Sequence, residues 1–451
     1  MDLMTAGRYA DAADLVDAAQ GDRARQKEDR GEVDNRSLQL YLMKASALQW
    51  AGSEGALASY EAAEAVIKSL ETRVGGAGVL ESVGAAFVGA GAKAYRPRAS
   101  DGILVNTFKA ELFLLRGKHE DARIELNRSD ERARRLVEML YKEIELAKQS
   151  AEGRKGVSER ADTIISEHYP NLSEWDVYDD FVNPYSVYLH AIFFFAASEA
   201  SSDIEKSIES MKRLVGMYPE SEHLAEQLGL FERIASGQLS REALPDQVWV
   251  VCADGMGPAI GVKRVQAHYQ AAGGMLSIRV RKSDGRGQEE LLPIPIVQPN
   301  PAAFDGCGVS AEGSPLATAS EIASMDRLFL TEFKKRLPME ITQSIFAYAL
   351  GGNAMAASWR RLRSDLGARD NALGNTMDSS LETRVWQGLP KKWFATRVDR
   401  PASGELTISG TQGAPIATIQ VPESRMSLVV VRAPSRSAAP AVSVSVLAER
   451  K

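Results

Sequence analysis

The chain has 451 residues, 44% hydrophobic and 25% charged, with a formal net charge of −6 at pH 7. That balance carries enough apolar surface for two or three cores and excludes the disordered and collagen-like classes. Apolar runs such as Val187 to Ala197 fall well short of the ~20 residues that span a bilayer, so no transmembrane segment is expected.

Charge and composition change part-way along. Residues 1–244 hold 41 acidic and 30 basic side chains, a net of −11, and are rich in Ala, Leu and Glu. Residues 245–451 hold 19 and 24, a net of +5, and are rich in Val, Ile, Gly, Pro and Thr. A boundary near Leu244-Pro245 is expected, with a helical domain over 1–244 and an α+β domain over 245–451.

Gly7-Arg8-Tyr9, followed by Ala12, Val16 and Ala19, fits the turn and second helix of a helical repeat. Residues 1–6 supply only a fragment of the helix before that turn. The chain is therefore expected to start inside a repeat, and the missing secretory leader carries little weight. Residues 38–70 read as helix, Ala51-Gly52 turn and helix. The layout recurs at 103–135. There the small Ala110 and Ala122 let two helices approach, Gly117 allows the reversal, and Leu126 fills the groove toward the next pair. This is the tetratricopeptide pattern, and Met211, Leu214 and Pro219 fit the end of another copy. Equivalent positions at Ala12, Ala56, Ala122 and Ser207 are 44, 66 and 85 residues apart, beyond the standard ~34. Insertions are expected at Gly75 to Ala94, as a loop or short helix, and at Glu131 to Ser158, as a charged amphipathic helix. Ser221 to Ser236 reads as a closing helix.

In the second half, Val248 to Ala253, Ile260 to Val265 and Leu276 to Val280 carry strand signals. Turns fall at Asp254 to Pro258 and at Ser283-Asp284-Gly285. Pro293 and Pro295 each remove a ladder donor, which makes Leu291 to Val297 an edge strand. Helices are predicted over 325–336 and 338–363, with Pro338 opening the second. A polar linker at 364–380 precedes strands at 393–398, 405–409, 416–421 and 428–431. Residues 441–447 either complete the sheet or trail free. The fold class expected is α followed by α+β, a degenerate helical solenoid and then a β-rich domain with inserted helices.

Chemical motifs are sparse. Gly89-Ala90-Gly91 with Ala94 lacks the preceding strand that a dinucleotide site requires. No two of His119, His168, His190, His223 and His268 stand at metal-ligand spacing on one helix face. Gly308 to Glu312 misses the nucleophile-elbow pattern at its last position and reads as a loop. Asp179-Asp180 and Glu289-Glu290 read as solvated surface. Basic residues cluster at Lys334-Lys335-Arg336, at Arg360, Arg361 and Arg363 beside Trp359, and at Lys391-Lys392-Trp393; a net of +5 disfavours nucleic acid. Cys252 and Cys307 are compatible with one bridge or with two free thiols. No motif calls for a metal, a cofactor or a catalytic residue.

Four stretches are more distinctive: Tyr95-Arg96 with Asn106 to Asp130, Asn183-Pro184-Tyr185 with Tyr188, Asp254-Gly255-Met256-Gly257-Pro258, and Arg384-Val385-Trp386-Gln387-Gly388-Leu389-Pro390. In this order the chain resembles a family of uncharacterised bacterial tetratricopeptide-repeat proteins, many of them envelope lipoproteins. The resemblance implies a periplasmic or envelope location and the company of small lipoproteins similar to penicillin-binding-protein activators. This sequence departs from it in carrying no lipoprotein leader. Asn183 and Pro184 suit a helix start, Gly255, Gly257 and Pro258 a turn, and Trp386 and Leu389 a plug against the sheet. Tyr95, Arg96, Arg384 and Trp386 are the candidates for partner contact, because aromatic and Arg side chains enrich interface hot spots. The function expected is a non-enzymatic scaffold whose helical groove takes a peptide or protein, an envelope lipoprotein among the candidates. The rivals are an enzyme with its site in the second half and a cytoplasmic nucleic-acid-binding regulator acting through the basic half.

Overall fold

A computed structural model describes the chain apart from residues 1, 22–26, 28–29, 31–33, 35–36, 75–94, 96, 153–156, 176, 179–180, 198–200, 267, 272–273, 278, 282–286, 290, 352–382, 412 and 451. The insertion expected at 75–94, the Gly89-Ala90-Gly91 motif, Arg96, Asp179-Asp180, Trp359 with its arginines and the 364–380 linker lie outside the described residues.

Helices fill the first half: α1 (Asp2–Thr5), α2 (Tyr9–Ala19), α3 (Leu38–Trp50), α4 (Ala56–Val74), α5 (Ala99–Leu115), α6 (His119–Glu152), α7 (Val157–His168), α8 (Pro184–Ala196), α9 (Ser201–Met217) and α10 (Glu222–Ala235). The helix pairs expected at 38–70 and 103–135 are α3–α4 and α5–α6. Ala110 and Ala122 are fully buried between α5 and α6, and Gly117 turns the chain with a φ of 66°. The closing helix is α10. The segment 131–152 is no separate insertion: it continues α6 without a break, since no Gly or Pro interrupts it after Gly117. Asn183 caps α8 by accepting the Tyr185 amide at 2.8 Å, with Pro184 at the first position. Every residue of α8 is buried, so this helix is a core element rather than part of a groove wall.

The second half is β-rich and carries α11 (Met325–Gly351). A five-stranded sheet has the order β10 (Ser320–Ser324), β11 (Lys392–Asp399), β1 (Gln247–Asp254), β14 (Met426–Ala433) and β15 (Ala441–Ala448). The β1–β14 pair is parallel and the rest are antiparallel. A four-stranded sheet has the order β13 (Pro415–Gln420), β12 (Glu405–Ser409), β8 (Gly308–Ala311) and β9 (Ser314–Thr318). A ribbon pairs β2 (Ala259–Gln266) with β7 (Leu291–Gln298), the latter holding both prolines and, among the described residues, paired on one side only. Between them lie β3 (His268–Ala271), β4 (Gly274–Ser277), β5 (Arg279–Arg281) and β6 (Gly287–Glu289).

Two sequence expectations are corrected and one open alternative is decided. Pro338 lies inside α11 instead of opening a second helix. The helix runs through it because Phe329, Phe333, Leu337 and Ile341 recur at four-residue spacing and bury against the ribbon and α7. Gly308 to Ala311 is a strand, not a loop, and Glu312-Gly313, with φ of 50° and 78°, makes a tight hairpin into β9. Residues 441–448 complete the five-stranded sheet as its end strand.

The alternation along β1 explains the layering. Trp249, Val251 and Ala253 face the helices, together with Trp393 and Ala395 of β11 and Leu428 and Val430 of β14. Val248, Val250 and Cys252 face the four-stranded sheet, with Val429, Val431, Leu406 and Ile408. A sheet buried on both faces needs continuous apolar strands, which is why β1 and β14 read without polar alternation. The composition boundary at Leu244-Pro245 thus marks a change of element type, while one apolar core runs across it. The Cys252–Cys307 disulfide joins β1 to the residue before β8 and fastens the two sheets together.

Candidate functional site

The four distinctive stretches converge on the seam between the helices and the five-stranded sheet. Trp386 enters the helical half: its indole packs edge-on against Phe108 at 5.7 Å and Tyr60 at 6.1 Å, and Nε1 donates to Ser46 Oγ at 2.8 Å. Gly388 follows because a Cβ there would collide with the Ser46 side chain. Gln39 of α3 holds the same loop by donating to the Val385 carbonyl at 3.0 Å. Next to Gly388, the Leu389 carbonyl accepts the Gly257 amide at 2.8 Å, which ties this loop to Asp254–Pro258. Gly255 turns there with a φ of 64°. The buried Asp254 carboxylate accepts the amides of Ala303, Phe304 and Asp305 at 2.9, 2.8 and 3.1 Å, so its lone pairs are committed to the backbone.

Tyr95 and Trp386, expected to meet a partner, are 1% and 3% exposed and serve the interior instead. Tyr95 donates to Asp101 at 2.7 Å. The physical reason is that an aromatic ring with one polar handle suits a buried seam as well as an interface. Arg384 is half-buried, and Pro258 is buried beside Gly257.

The seam continues as a line of aromatic rings and hydrogen bonds. Tyr185 of α8 stacks on Trp393 at 5.2 Å, and its hydroxyl donates to Glu111. Gln49 Nε2 also donates to Glu111, at 2.9 Å, while Gln49 Oε1 accepts from Tyr60 at 2.7 Å. Farther along, Gln227 accepts from Trp249 Nε1 at 3.2 Å, donates to Tyr188 at 3.2 Å and contacts His223. Burial raises the Glu111 carboxyl to about 7 and Asp101 to about 6, the latter aided by the charge of Glu332. Burial lowers His190 and His223 to about 4. Sequence reasoning missed Glu111, Asp101 and Gln227. Their only signal is a polar residue on the inward face of an otherwise apolar segment.

Comparison with protein-family models, curated proteins and solved structures finds no match.

The chemical capacity of the described residues is therefore judged from geometry alone. Among them no group of three His, Cys, Asp or Glu side chains is placed to hold a metal ion. A cleft between α5, α6, α8 and α9 is lined by Ser129, Ser186, His190, Ser210 and Arg213, and its free volume of about 10 Å³ accommodates a single water. Ser210 and His190 Nδ1 are 3.0 Å apart there. With its proton affinity lowered by burial, His190 is a weak base at neutral pH.

Four cations of the two described basic clusters are engaged from within. Arg336 pairs with Glu332 at 2.9 Å, Lys392 with Glu321 at 2.8 Å and Lys391 with Asp326, while Lys335 lies over the Phe181 ring at 4.4 Å. A nucleic-acid face needs cations presented to solvent, and these four are engaged inside the chain. No helix among the described residues is long and apolar enough to cross a membrane.

Proposed function

We propose that this chain is a non-enzymatic protein-interaction scaffold of the bacterial cell envelope, built on a degenerate tetratricopeptide-like helical half. The observation that carries the reading is the Cys252–Cys307 disulfide, whose two residues are 6% and 1% exposed and cross-link two sheets. Structural disulfides form and persist in oxidising compartments and are rare where thiols are kept reduced. The resemblance of the ordered stretches to envelope tetratricopeptide proteins points the same way.

The seam refines where a partner would bind. The inner side of the helices is filled by Trp249, Trp386 and Trp393 of the chain's own second half, so an incoming peptide has no free groove there. The outside of the molecule remains, where the end strand β9 presents Leu316 at 44% exposure. End strands offer unpaired backbone groups to an added strand.

The test is differential alkylation of the protein taken from its native host, combined with fractionation and affinity purification. Cys252 and Cys307 protected from alkylation until reduced, bait in the envelope fraction, and co-purification of an envelope protein with wild type but not with Leu316→Asp are expected. Alkylation of both thiols without reduction, in a cytosolic bait, would sink the compartment. Loss of no partner on Leu316→Asp would sink the β9 assignment.

A further inference from the structure

Arginines that reach into the helical half are matched by carboxylates. Arg132, 7% exposed, pairs with Glu71 at 2.9 Å and Glu64 at 3.5 Å, and Arg123 pairs with Asp203 at 2.8 Å. Arg432 of β14 differs. It is 1% exposed and forms no ion pair among the described residues. Asp254, which follows its register partner Ala253 on β1, has both carboxylate oxygens on the amides of residues 303–305. An arginine is almost never fully buried without a partner, because an uncompensated charge in the interior is costly.

The guanidinium is well satisfied on one side only. Nη1 donates to the carbonyl oxygens of Ala253, at 3.1 Å, and of Gly255. Nη2 reaches the Met256 thioether at 3.1 Å, a weak acceptor. Nε is buried with no acceptor among the described residues. Nε and Nη2 together form the fork with which arginine grips anions through two parallel bonds. The ring of Trp50 has its centroid 5.3 Å from the guanidinium carbon, and Trp50 Nε1 is a second buried donor with no acceptor among the described residues. Burial lowers Arg432 only to about 10, so the side chain is charged at neutral pH.

We propose that Arg432 and Trp50 Nε1 hold a small monovalent anion, chloride, where α2, α3 and the Asp254–Pro258 turn meet. The surroundings select that chemistry. Met4, Tyr9, Ala12, Ala13, Trp50 and Met256 belong to one buried apolar cluster. Besides the two orphaned donors, the side chains of those six residues offer only the Tyr9 hydroxyl, which donates to the Ala439 carbonyl at 3.2 Å. A halide brings one charge and is met by two or three donors. Phosphate or sulfate brings four oxygens, most of which this cluster would leave without a partner. The anion fastens three parts of the chain: Trp50 ends α3, Arg432 lies in the five-stranded sheet, and Tyr9 and Thr5 join the first two helices to the segment after β14, with Ser435 Oγ donating to the Thr5 carbonyl at 2.5 Å.

The test is urea unfolding of the full chain at a constant ionic strength of about 0.15 M, with sodium gluconate replaced stepwise by sodium chloride. Gluconate is too large for the cluster, and constant ionic strength holds general screening fixed. An anion bound by the folded chain alone multiplies the folding equilibrium constant by one plus its concentration over its dissociation constant, and a rise of about tenfold is expected at full chloride. Arg432→Met puts an apolar side chain of similar reach in place of the cation, and the rise is expected to vanish. Trp50→Phe keeps a ring over the guanidinium and removes one donor; the rise is expected to shrink severalfold, and this variant decides should Arg432→Met fail to fold. A wild-type folding constant that ignores chloride would overturn the site, leaving Arg432 to the backbone carbonyls and water. A rise of equal size in wild type and in either variant would overturn it too, because chloride would then act elsewhere on the chain.

Discussion

The two faces of the five-stranded sheet are held by different chemistry. Toward the helices Trp249 and Trp393 stand among smaller Val, Ala and Leu side chains, and each indole nitrogen at the seam that donates a bond finds a named acceptor: Trp249 to Gln227 and Trp386 to Ser46. Toward the four-stranded sheet the residues are chiefly Val, Leu and Ile, with Phe394 among them, and one covalent bond, Cys252–Cys307, joins the two sheets. Aliphatic packing fills space without fixing register strongly, whereas directional bonds from rings select one arrangement. The difference teaches that a single strand, β1, with side chains alternating every residue, serves a specificity-determining interface on one side and a stapled one on the other.

The largest expected effect comes from removing an aromatic anchor. Trp393→Ala takes away a side chain that is 1% exposed and its stack with Tyr185, so a loss of about 5 kcal/mol is expected by urea unfolding. Val250→Ala on the opposite face should lose about half as much. Equal losses would erase the contrast between the faces.

Next comes the staple. Cys252 and Cys307 are 55 residues apart, and the loop-closure entropy removed from the unfolded chain predicts about 4 kcal/mol of stabilisation. Reduction with dithiothreitol, or the Cys252→Ser and Cys307→Ser pair, is expected to lower the unfolding free energy measured in urea by that amount. Amide protection should fall first in β8 and β12, with the seam at α8 retained. A uniform loss in α8 and β12 alike would mean that the two interfaces unfold as one.

A smaller effect tests directionality. Trp386→Phe keeps a ring between Tyr60 and Phe108 but removes the Nε1 donor to Ser46 together with part of the indole, for an expected loss of about 2 kcal/mol. Ser46→Ala, which removes the same bond and little volume, should lose about 1 kcal/mol, and the double variant should lose less than the sum of the two because they share that bond. Strict additivity would show that this hydrogen bond contributes nothing.

These contrasts also explain what the sequence made legible. The unbroken apolar runs of β1 and β14 announce a doubly buried sheet, and the glycine and alanine spacing around Gly117 announces the α5–α6 pair. Strand β9 escaped notice because four of its five residues are well exposed, which leaves no apolar period to read. Pro338 misled because its local preference for a helix start is outweighed by the apolar spacing on either side of it. The seam was least legible: Trp386 reaches Ser46 across 340 residues of chain, and Cys252 reaches Cys307 across 55. Nothing in local spacing encodes such meetings. A residue type suited to a partner interface is suited for the same reasons to an interface within the chain, which is how Tyr95 and Trp386 came to be expected on the surface.

The smallest effect concerns the outer side of the stapled sheet, the face that neither interface touches. Ser310 stands in β8 between Thr407 of β12 and Pro315 of β9, half-buried, with its hydroxyl donating to the Thr407 carbonyl at 3.3 Å. On a nucleophile elbow the serine tops a strained turn into a helix; here it lies mid-strand, and the tight turn comes two residues later at Glu312-Gly313. Ser310→Ala should change stability by less than about 0.5 kcal/mol, since one long bond at a half-open position is readily replaced by water. A fluorophosphonate probe should leave Ser310 unlabelled in the full chain. Labelling that the Ser310→Ala variant abolishes would move the chemistry to this face, and the sheet that is merely fastened from within would become the one to study.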